Sequence, residues 1–250
     1  MSVSTTDKKE QAGGFGETVK VIIHALILAL LVRTFLFQPF NIPSGSMKST
    51  LLVGDYLFVS KYSYGYSRYS FPFGIVPFSG RVWSAEPKRG DVIVFKQPHD
   101  GQDFIKRLIG LPGDRIQMKA GRLYINGEAV KREPAPDFTE TNAFGAQFRV
   151  KRWHETLPNG VTYDTLDLYD NGPADNTPEY LVPAGHYFMM GDNRDNSTDS
   201  RVLDAVGYVP FENLIGRAEI LFFSIEEGSA VWQVWKWPWS IRWSRIFGTL

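Results

Sequence analysis

Two serines, Ser44 and Ser46, flank a glycine in the stretch FNIPSGSMKSTLLVGD, shortly after a long apolar segment. A serine becomes a nucleophile when a neighbouring base removes its proton. The nearest histidines are His24, inside the apolar segment, and His99, about fifty residues downstream. Either another base serves the serine, or the stretch is only a turn. The chain has no cysteine, so a covalent nucleophile has to be a hydroxyl, and disulfides and cysteine metal sites are excluded.

Lys106 interrupts the apolar run of DFIKRLIGLPGDR and is a candidate base. Strand alternation places it on the same face as Phe104 and Leu108, so we expect its amine to be desolvated. A lysine base near neutral pH needs its pKa lowered from roughly 10.4 to about 7 or 8, and burial alone produces shifts of that size. The alternative is a structural lysine, whose stem packs while its amine reaches water or an acid.

A second polar cluster, GDNRDNSTDSR, spans residues 191–201 and is typical of a turn that bonds to itself. A calcium loop starting at Asp192 is excluded, because Arg194, Ser197 and Leu203 occupy its third, sixth and twelfth positions. The residues themselves favour a structural network with internal Asp–Arg pairs.

Four motifs, IPSGSM, RGDVIVF, DFIKRLIGLPGD and GDNRDNSTDSR, follow one another in this order after the apolar segment. Together they resemble the motif boxes of bacterial signal peptidase I, also called leader peptidase. The resemblance runs from about Phe40 to about Arg217, and the polar region between Arg115 and Pro183 matches only in position. SGSM is a weak signal alone, whereas the last motif is highly specific.

The resemblance implies a serine peptidase with a Ser-Lys pair. It makes Ser46 the nucleophile and Lys106 the general base, while Ser44 contributes to the oxyanion hole with the backbone N–H of Ser46. Ser197 is implied to hydrogen-bond and orient the lysine. The implied supporting residues around this site are Asp192, Arg194, Asp199 and Arg201. Residues implied to surround shallow apolar pockets for small side chains are Phe40, Ile42, Pro43, Met47, Leu51, Phe104 and Ile105.

The implied function is removal of N-terminal signal peptides from exported preproteins through an acyl-enzyme, without cofactor or metal. Signal-bearing preproteins and membrane lipid are the expected partners, and the chain is expected to be a monomer. The charge balance of 27 Lys plus Arg against 27 Asp plus Glu does not favour nucleic acid. Three features depart from the family: Ser49 stands where relatives often carry proline, a single apolar segment is found where many have two, and no disulfide can form.

Two other functions share the membrane segment and the β pattern. One is a specialised Ser-Lys peptidase that matures a conjugation or pilus component. The other is a membrane-tethered β-domain that binds peptides without cutting them. A self-cleaving repressor would share the chemistry, but it would require a DNA-binding helical domain and a cytoplasmic location.

The apolar segment at residues 19–37 is close to the roughly 20 residues that cross a bilayer. Lys8 and Lys9 precede it and Lys20 lies at its start, whereas only Lys48 occurs in the twenty residues that follow, which predicts a cytoplasmic N-terminus. An anchor is favoured over a removed export signal because no small-residue cleavage site follows. With the resemblance, this predicts a single-pass protein of the bacterial inner membrane whose catalytic domain lies on the periplasmic face.

Beyond the apolar segment, short β-rich runs alternate with turn residues, and Asn126-Gly127 is a strong hairpin signal. The predicted fold is mainly β, with antiparallel sheets forming a catalytic core and an inserted second β lobe after one N-terminal transmembrane helix. The predicted organisation is a cytoplasmic tail (1–18), a transmembrane helix (19–37), a catalytic core (38–62, 85–114 and 184–250), an extended aromatic ribbon (63–84) and an inserted lobe (115–183).

Two aromatic stretches are left with open interpretations. The ribbon is either a solvent-facing segment or a loop that touches lipid or a partner. The C-terminal stretch VWQVWKWPWSIRWSRIF holds five tryptophans, and contact with the outer leaflet is favoured there over a core strand.

Overall fold

A computed structural model describes residues 15–71, 76–141, 145–229 and 232–250. Within these ranges the chain is mainly β and antiparallel after one long N-terminal helix, which confirms the predicted fold class. The helices are α1 (Phe15–Phe35) and the short α2 (Trp237–Ser240). The strands are β1 (Phe37–Asn41), β2 (Asp55–Ser60), β3 (Val92–Lys96), β4 (Asp103–Gly110), β5 (Arg115–Lys119), β6 (Arg122–Ile125), β7 (Glu128–Ala129), β8 (Lys131–Thr141), β9 (Gln147–Thr156), β10 (Thr162–Asp167), β11 (Tyr180–Leu181), β12 (His186–Met190), β13 (Val209–Pro210) and β14 (Leu214–Ser224).

Helix α1 has 21 residues, and its length and composition suit a membrane span. Its apolar side chains are exposed nearly all round, as expected for a helix whose surroundings are lipid. The helix begins four residues before the predicted segment of 19–37 and ends two residues before its end, because Phe37 already belongs to β1. The predicted cytoplasmic tail lies largely outside the described residues.

The largest sheet has seven strands in the order β1-β2-β14-β3-β4-β12-β13 and carries the motifs that resemble the peptidase boxes. β1 continues directly from the helix and pairs with β2, so the loop between them is held at one edge of the sheet. β4 lies further inside, and its Lys106 is opposite Ile93 of β3. This sheet therefore positions both the serine loop and the candidate base.

Two smaller sheets, β11-β5-β6-β7 and β10-β9-β8, are built from residues between Arg115 and Leu181, where the inserted lobe was expected. The predicted hairpin is confirmed, since Ile125 pairs with Glu128 across a turn in which Asn126 and Gly127 both have positive φ angles of 55° and 83°. The individual domain boundaries stay predictions.

Three clusters of buried apolar side chains form the core. One lies under the serine loop and includes Ile42, Met47 and Leu51 together with side chains of β2, β3 and β14. The loop that carries Ser46 is therefore anchored from below by its own apolar residues.

The segment predicted as an aromatic ribbon packs against the domain at several points. Tyr64 is buried, and its hydroxyl donates to Asp91 at 2.8 Å. The ring of Tyr66 contacts the ring of Phe35, and its hydroxyl donates to the carbonyl of Phe35 at 2.7 Å. This segment thus contacts the end of α1, while residues 72–75 lie outside the described ranges.

The C-terminal tryptophans are largely at the surface. Trp232, Trp235, Trp239 and Trp243 are between 62% and 79% exposed. Such exposure of indole rings is typical of a surface that meets an apolar medium or a partner.

Candidate active site

The serine loop contains a single 3-10 turn, Gly45–Met47, which Ser44 enters in an extended conformation with φ −124°. Ser46 is buried to 8% exposure, and Met47 is fully buried beneath it. The N–H of Ile42 donates to the carbonyl of Asp55 at 2.8 Å and closes the base of the loop. The Ser46 hydroxyl is thereby held at the floor of a cleft.

Lys106 lies on β4 with only 3% of its surface exposed, as strand alternation predicted. Its Nζ donates to Ser46 Oγ at 2.6 Å and to the carbonyl of its neighbour Ile105 at 3.2 Å, and it lies 5.2 Å from the centroid of the Phe104 ring. Among the described residues, no carboxylate forms an ion pair with it.

Burial lowers the pKa of Lys106 from 10.5 to about 8. The negative charges of Asp199 and Asp192 favour the ammonium form and offset this shift only in part. The amine is therefore neutral in a substantial fraction of molecules at mildly alkaline pH, while it already contacts a hydroxyl. This arrangement can remove a proton from Ser46.

Ser44 and Ser197 lie on two sides of the pair. Ser44 Oγ is 3.4 Å from Ser46 Oγ and faces the cleft. Ser197 lines the same cavity of about 400 Å³ as Ser46 and Lys106. Its Oγ is buried without a hydrogen-bond partner among the described residues, although it is close enough to Asp199 to help lower the pKa of that carboxyl. The expected bond from Ser197 to the lysine is not formed in this structure.

The polar turn at 191–201 forms one of the internal Asp–Arg pairs that its composition predicted. Asp199 is fully buried, and its two oxygens accept from Nε and Nη2 of Arg201 at 2.8 Å each. Arg201 is the largest of the influences that lower the pKa of Asp199, and together they outweigh the effect of burial. Asp199 also accepts the backbone N–H of Gly191 at 3.0 Å, so the pair closes the turn on itself.

The other two charged residues of the turn bind partners elsewhere. Asp192 accepts from both Nε and Nη2 of Arg107 on β4, at 2.9 and 2.7 Å. Arg194 donates to both oxygens of Glu155 on β9, at 3.0 and 2.5 Å. Internal pairing is wrong for these two, because strand pairing brings in better-placed charges from distant parts of the sequence.

Gly191 is a residue of this site that the sequence reasoning did not single out. A side chain there would overlap Ser197 Oγ and would lie 2.5 Å from the carbonyl oxygen of Ser46. Only glycine lets the polar turn approach the serine loop this closely. Its place at the start of GDNRDNSTDSR, directly after the run HYFMM, was the available signal.

A second cavity, of about 370 Å³, adjoins the pair and lies between residues 40–44 and 102–106. The predicted pocket residues that line it are Phe40, Ile42, Pro43, Phe104 and Ile105. Met47 and Leu51 are fully buried in the core cluster behind it. Of the seven pocket residues implied by the resemblance, five therefore line the cavity and two lie in the core beneath it.

Three carboxylates, Asp167, Asp175 and Asp195, have oxygens within 4.8 Å of one another and are the group of possible metal ligands found in the described ranges. Asp167 accepts from Arg132 at 2.8 Å, and Asp195 accepts the N–H groups of residues 168 and 169. Protein donors thus already satisfy part of this cluster.

Comparison with known proteins identifies the family of this chain. The family model described as signal peptidase, peptidase S26, matches residues 15–223. Signal peptidase I of Rickettsia massiliae is 41% identical, covering 99% of this chain and 96% of the relative, and that of Rickettsia typhi is 42% identical, covering 90% of both. A crystal structure of a signal peptidase I from Enterococcus faecalis shares 28% identity, covers 53% of this chain and 97% of that one, and has a TM-score of 0.31. By the family model and the two Rickettsia relatives, the chain belongs to the signal peptidase family, peptidase S26.

Proposed function

We propose that this chain is a membrane-anchored serine endopeptidase that removes signal peptides from exported preproteins, with Ser46 as nucleophile and neutral Lys106 as general base. Family membership supports the activity. The observation that carries the residue assignment is the 2.6 Å contact between a buried amine and a hydroxyl, without a carboxylate partner for the amine among the described residues.

The first half of the reaction is acylation. Lys106 Nζ takes the proton of Ser46 Oγ as the oxygen attacks the carbonyl carbon of the scissile peptide bond. The negative charge that develops on the carbonyl oxygen is stabilised by the Ser44 hydroxyl and the backbone N–H of Ser46. The protonated lysine then donates its proton to the leaving amine, and an ester to Ser46 remains.

The second half is hydrolysis of that ester. Lys106, neutral again, removes a proton from water as the water attacks the ester carbonyl, and it returns a proton to Ser46 Oγ when the bond breaks. The same two groups therefore serve both halves. The 400 Å³ cavity shared by Ser46, Lys106 and Ser197 leaves room for that water.

Substrate binding uses strand edges on both sides of the cleft. β12 pairs with β4 only from Arg107 onward, so the β4 edge at Phe104–Lys106 is open on the side away from β3. β1 pairs with β2 on one side and is an edge strand on the other. An extended peptide that adds to these edges presents alternate side chains to the 370 Å³ cavity, which suits small residues at every second position, as in Ala-x-Ala.

The path of β1 supports a position of the cleft near the membrane. β1 runs from the end of α1 toward the serine loop, so only residues 36–45 separate the candidate membrane helix from Ser46. We place the catalytic domain on the periplasmic face of the bacterial inner membrane, with the N-terminus in the cytoplasm, from the distribution of Lys and Arg around the span. The exposed C-terminal tryptophans support contact with the same leaflet.

The direct test is cleavage of a purified preprotein by the full chain in detergent. We expect Ser46→Ala and Lys106→Met to abolish cleavage, because each removes one member of the proton-transfer pair. The Ser46→Ala protein should also fail to form the acyl adduct that mass spectrometry detects on the wild-type enzyme. Retained cleavage by either variant rules out the assignment.

A further inference from the structure

Asn193 lies directly beneath the serine loop and holds two of its carbonyl groups. Its backbone N–H donates to the carbonyl of Ser46 at 3.1 Å, and its side-chain Nδ2 donates to the carbonyl of Gly45 at 3.1 Å. The residue is fully buried and lines neither cavity of the site. We infer that Asn193 is a positioning residue that orients the backbone N–H of Ser46 toward the oxyanion, an inference that rests on the proposed function.

The geometry of one peptide unit carries this inference. The carbonyl of Gly45 and the N–H of Ser46 belong to the same peptide, which is planar and trans, so the two groups point in opposite directions. A hydrogen bond that holds the carbonyl toward Asn193 therefore turns the Ser46 N–H away from Asn193. The second bond, to the Ser46 carbonyl, holds the following peptide unit.

This peptide unit needs such a restraint. Gly45 has no Cβ, so the backbone on one side of the unit rotates more freely than at any other residue type. The carbonyl of Gly45 also accepts the N–H of Lys48 at 3.1 Å, but that bond lies within the loop and moves with it. Asn193 supplies the restraint from outside the loop.

Asn193 is itself held rigidly on its other side. The N–H of Leu166, on β10, donates to the carbonyl of Asp192 at 2.9 Å, and the N–H of Arg194 donates to the carbonyl of Leu166 at 3.0 Å. The side chains of Asp192 and Arg194 are each locked in a buried two-bond ion pair. The orientation of the Ser46 N–H, the oxyanion donor, thus depends on contacts with the β10-β9-β8 sheet as well as with the seven-stranded sheet.

The side chain of Asn193 also contains a buried acceptor without a partner in the described part of the chain. Its Oδ1 is buried and has no hydrogen-bond partner within the described ranges. A buried acceptor without a partner is unfavourable, and such groups in native proteins call for an explanation. Turning the amide over would set Oδ1 against the carbonyl oxygen of Gly45. The orientation in which Nδ2 donates to Gly45 therefore leaves Oδ1 without a partner within the described ranges.

Two variants test the inference, Asn193→Ala and Asn193→Ser, because both remove the Nδ2 donor while the backbone N–H remains. We expect kcat to fall about tenfold to a hundredfold, somewhat less than removal of an oxyanion donor itself, with KM within about twofold. The inhibition constant of a peptide boronic acid, whose tetrahedral adduct occupies the oxyanion site, should rise by the same factor. The pH midpoint of kcat/KM should not move, because Lys106 is untouched.

Asn213→Ala is the matched control. Asn213 is buried as well, and its Nδ2 donates to the carbonyl of Lys96 at 2.8 Å, outside the two cavities. We expect this variant to lose thermal stability as the Asn193 variants do, while its kcat and boronic acid inhibition stay at the wild-type level.

The outcomes separate this inference from the proposed function. If Ser46→Ala and Lys106→Met abolish cleavage but folded Asn193 variants keep wild-type kcat, only the role of Asn193 is overturned. If kcat falls while boronic acid inhibition is unchanged, the effect is not on the oxyanion donor, and the inference is also wrong. Failure of both Asn193 variants to fold assigns the residue to the fold and equally overturns it. Retained cleavage by the Ser46 or Lys106 variants instead rejects the proposed function.

Discussion

Two buried lysines of this protein, Lys61 and Lys106, have the same exposure and a similar pKa but different neighbours. Each is 3% exposed. Burial is the main influence that lowers the pKa of each from 10.5 to about 8, with the charge of Arg33 adding to the effect at Lys61. Lys61 Nζ donates to the backbone carbonyl of Ser70 at 2.5 Å, whereas Lys106 Nζ donates to the hydroxyl of Ser46 at 2.6 Å.

The difference shows that a lowered pKa is not enough to make an amine a general base. The amine must also contact a group that carries a proton to be removed. The carbonyl oxygen that accepts from Lys61 carries no proton, so Lys61 has no proton to remove there. Its amine only donates a hydrogen bond to the backbone of the segment that contacts the end of α1. Arg107, next to Lys106 on the same strand, shows the opposite limit. It is also buried, but the two-bond contact with Asp192 keeps it charged and raises its pKa. Of the two buried basic residues on β4, only Lys106 lacks a carboxylate partner among the described residues. Lys106 is therefore the one that can lose its proton and act as a base.

The largest expected effect is on activity when each lysine is replaced by methionine. We expect Lys106→Met to lower kcat by about a thousandfold or more, because the general base is lost. Lys61→Met, which removes another largely buried lysine, should retain kcat within about threefold. Cleavage of a preprotein by both variants in the same detergent measures this. Equal losses for the two lysines would contradict the distinction between them.

Gly191→Ala should make Lys106 resemble Lys61 by moving the serine away from it. The added Cβ would overlap Ser197 Oγ and press on the carbonyl of Ser46. A displacement of about 1 Å at the reacting atoms is expected to lower kcat by about a hundredfold. The pH midpoint should stay near its wild-type value if the lysine remains buried. Wild-type kcat in this variant would show that the close approach of the two loops is not needed.

The pH dependence of activity should report Lys106 and not Lys61. With a pKa of about 8, the neutral fraction of Lys106, and hence kcat/KM, should rise about tenfold between pH 7 and pH 9. The Lys61→Met profile should coincide with that of the wild type. A profile that is flat over this range, or one that shifts in the Lys61 variant, would count against Lys106 as the base.

The smallest expected effect is on stability, and here the two lysines should behave alike. Because the folded pKa is near 8 and the unfolded value is 10.5, the unfolded state binds more protons between these values. The free energy of unfolding should therefore rise with pH across this window and be lowest below pH 8. Each lysine-to-methionine variant should flatten that rise and increase the melting temperature at pH 6 by a few degrees. Thermal unfolding in detergent at pH 6 and pH 10 measures this, and a melting temperature at pH 6 lowered by both replacements would contradict it.

Much of the fold and part of the site could be predicted because they depend on local patterns. The apolar length of α1, the Asn126-Gly127 turn and the apolar run around Lys106 are properties of short segments. The partners of Asp192 and Arg194 could not be predicted, since Arg107 and Glu155 arrive through strand pairing over long sequence distances. Lys61 could not be predicted to be buried, because nothing in its local sequence marks it. Asn193 belongs to the motif GDNRDNSTDSR, but its bond to the carbonyl of Gly45 depends on how two distant loops meet.

The amino-acid sequence by itself determined the chemical groups available here: a hydroxyl on a short loop, an amine on an apolar strand face, and a helix able to cross a bilayer. The tertiary structure alone decided that these two groups, 60 residues apart, meet at 2.6 Å while a second buried lysine, Lys61, donates to a carbonyl. The physical reason is that the local sequence sets which segments are apolar enough to be buried, as β4 is on both faces. The order of the strands in the sheet and the closure of the loops decide which distant residues contact the buried side chains.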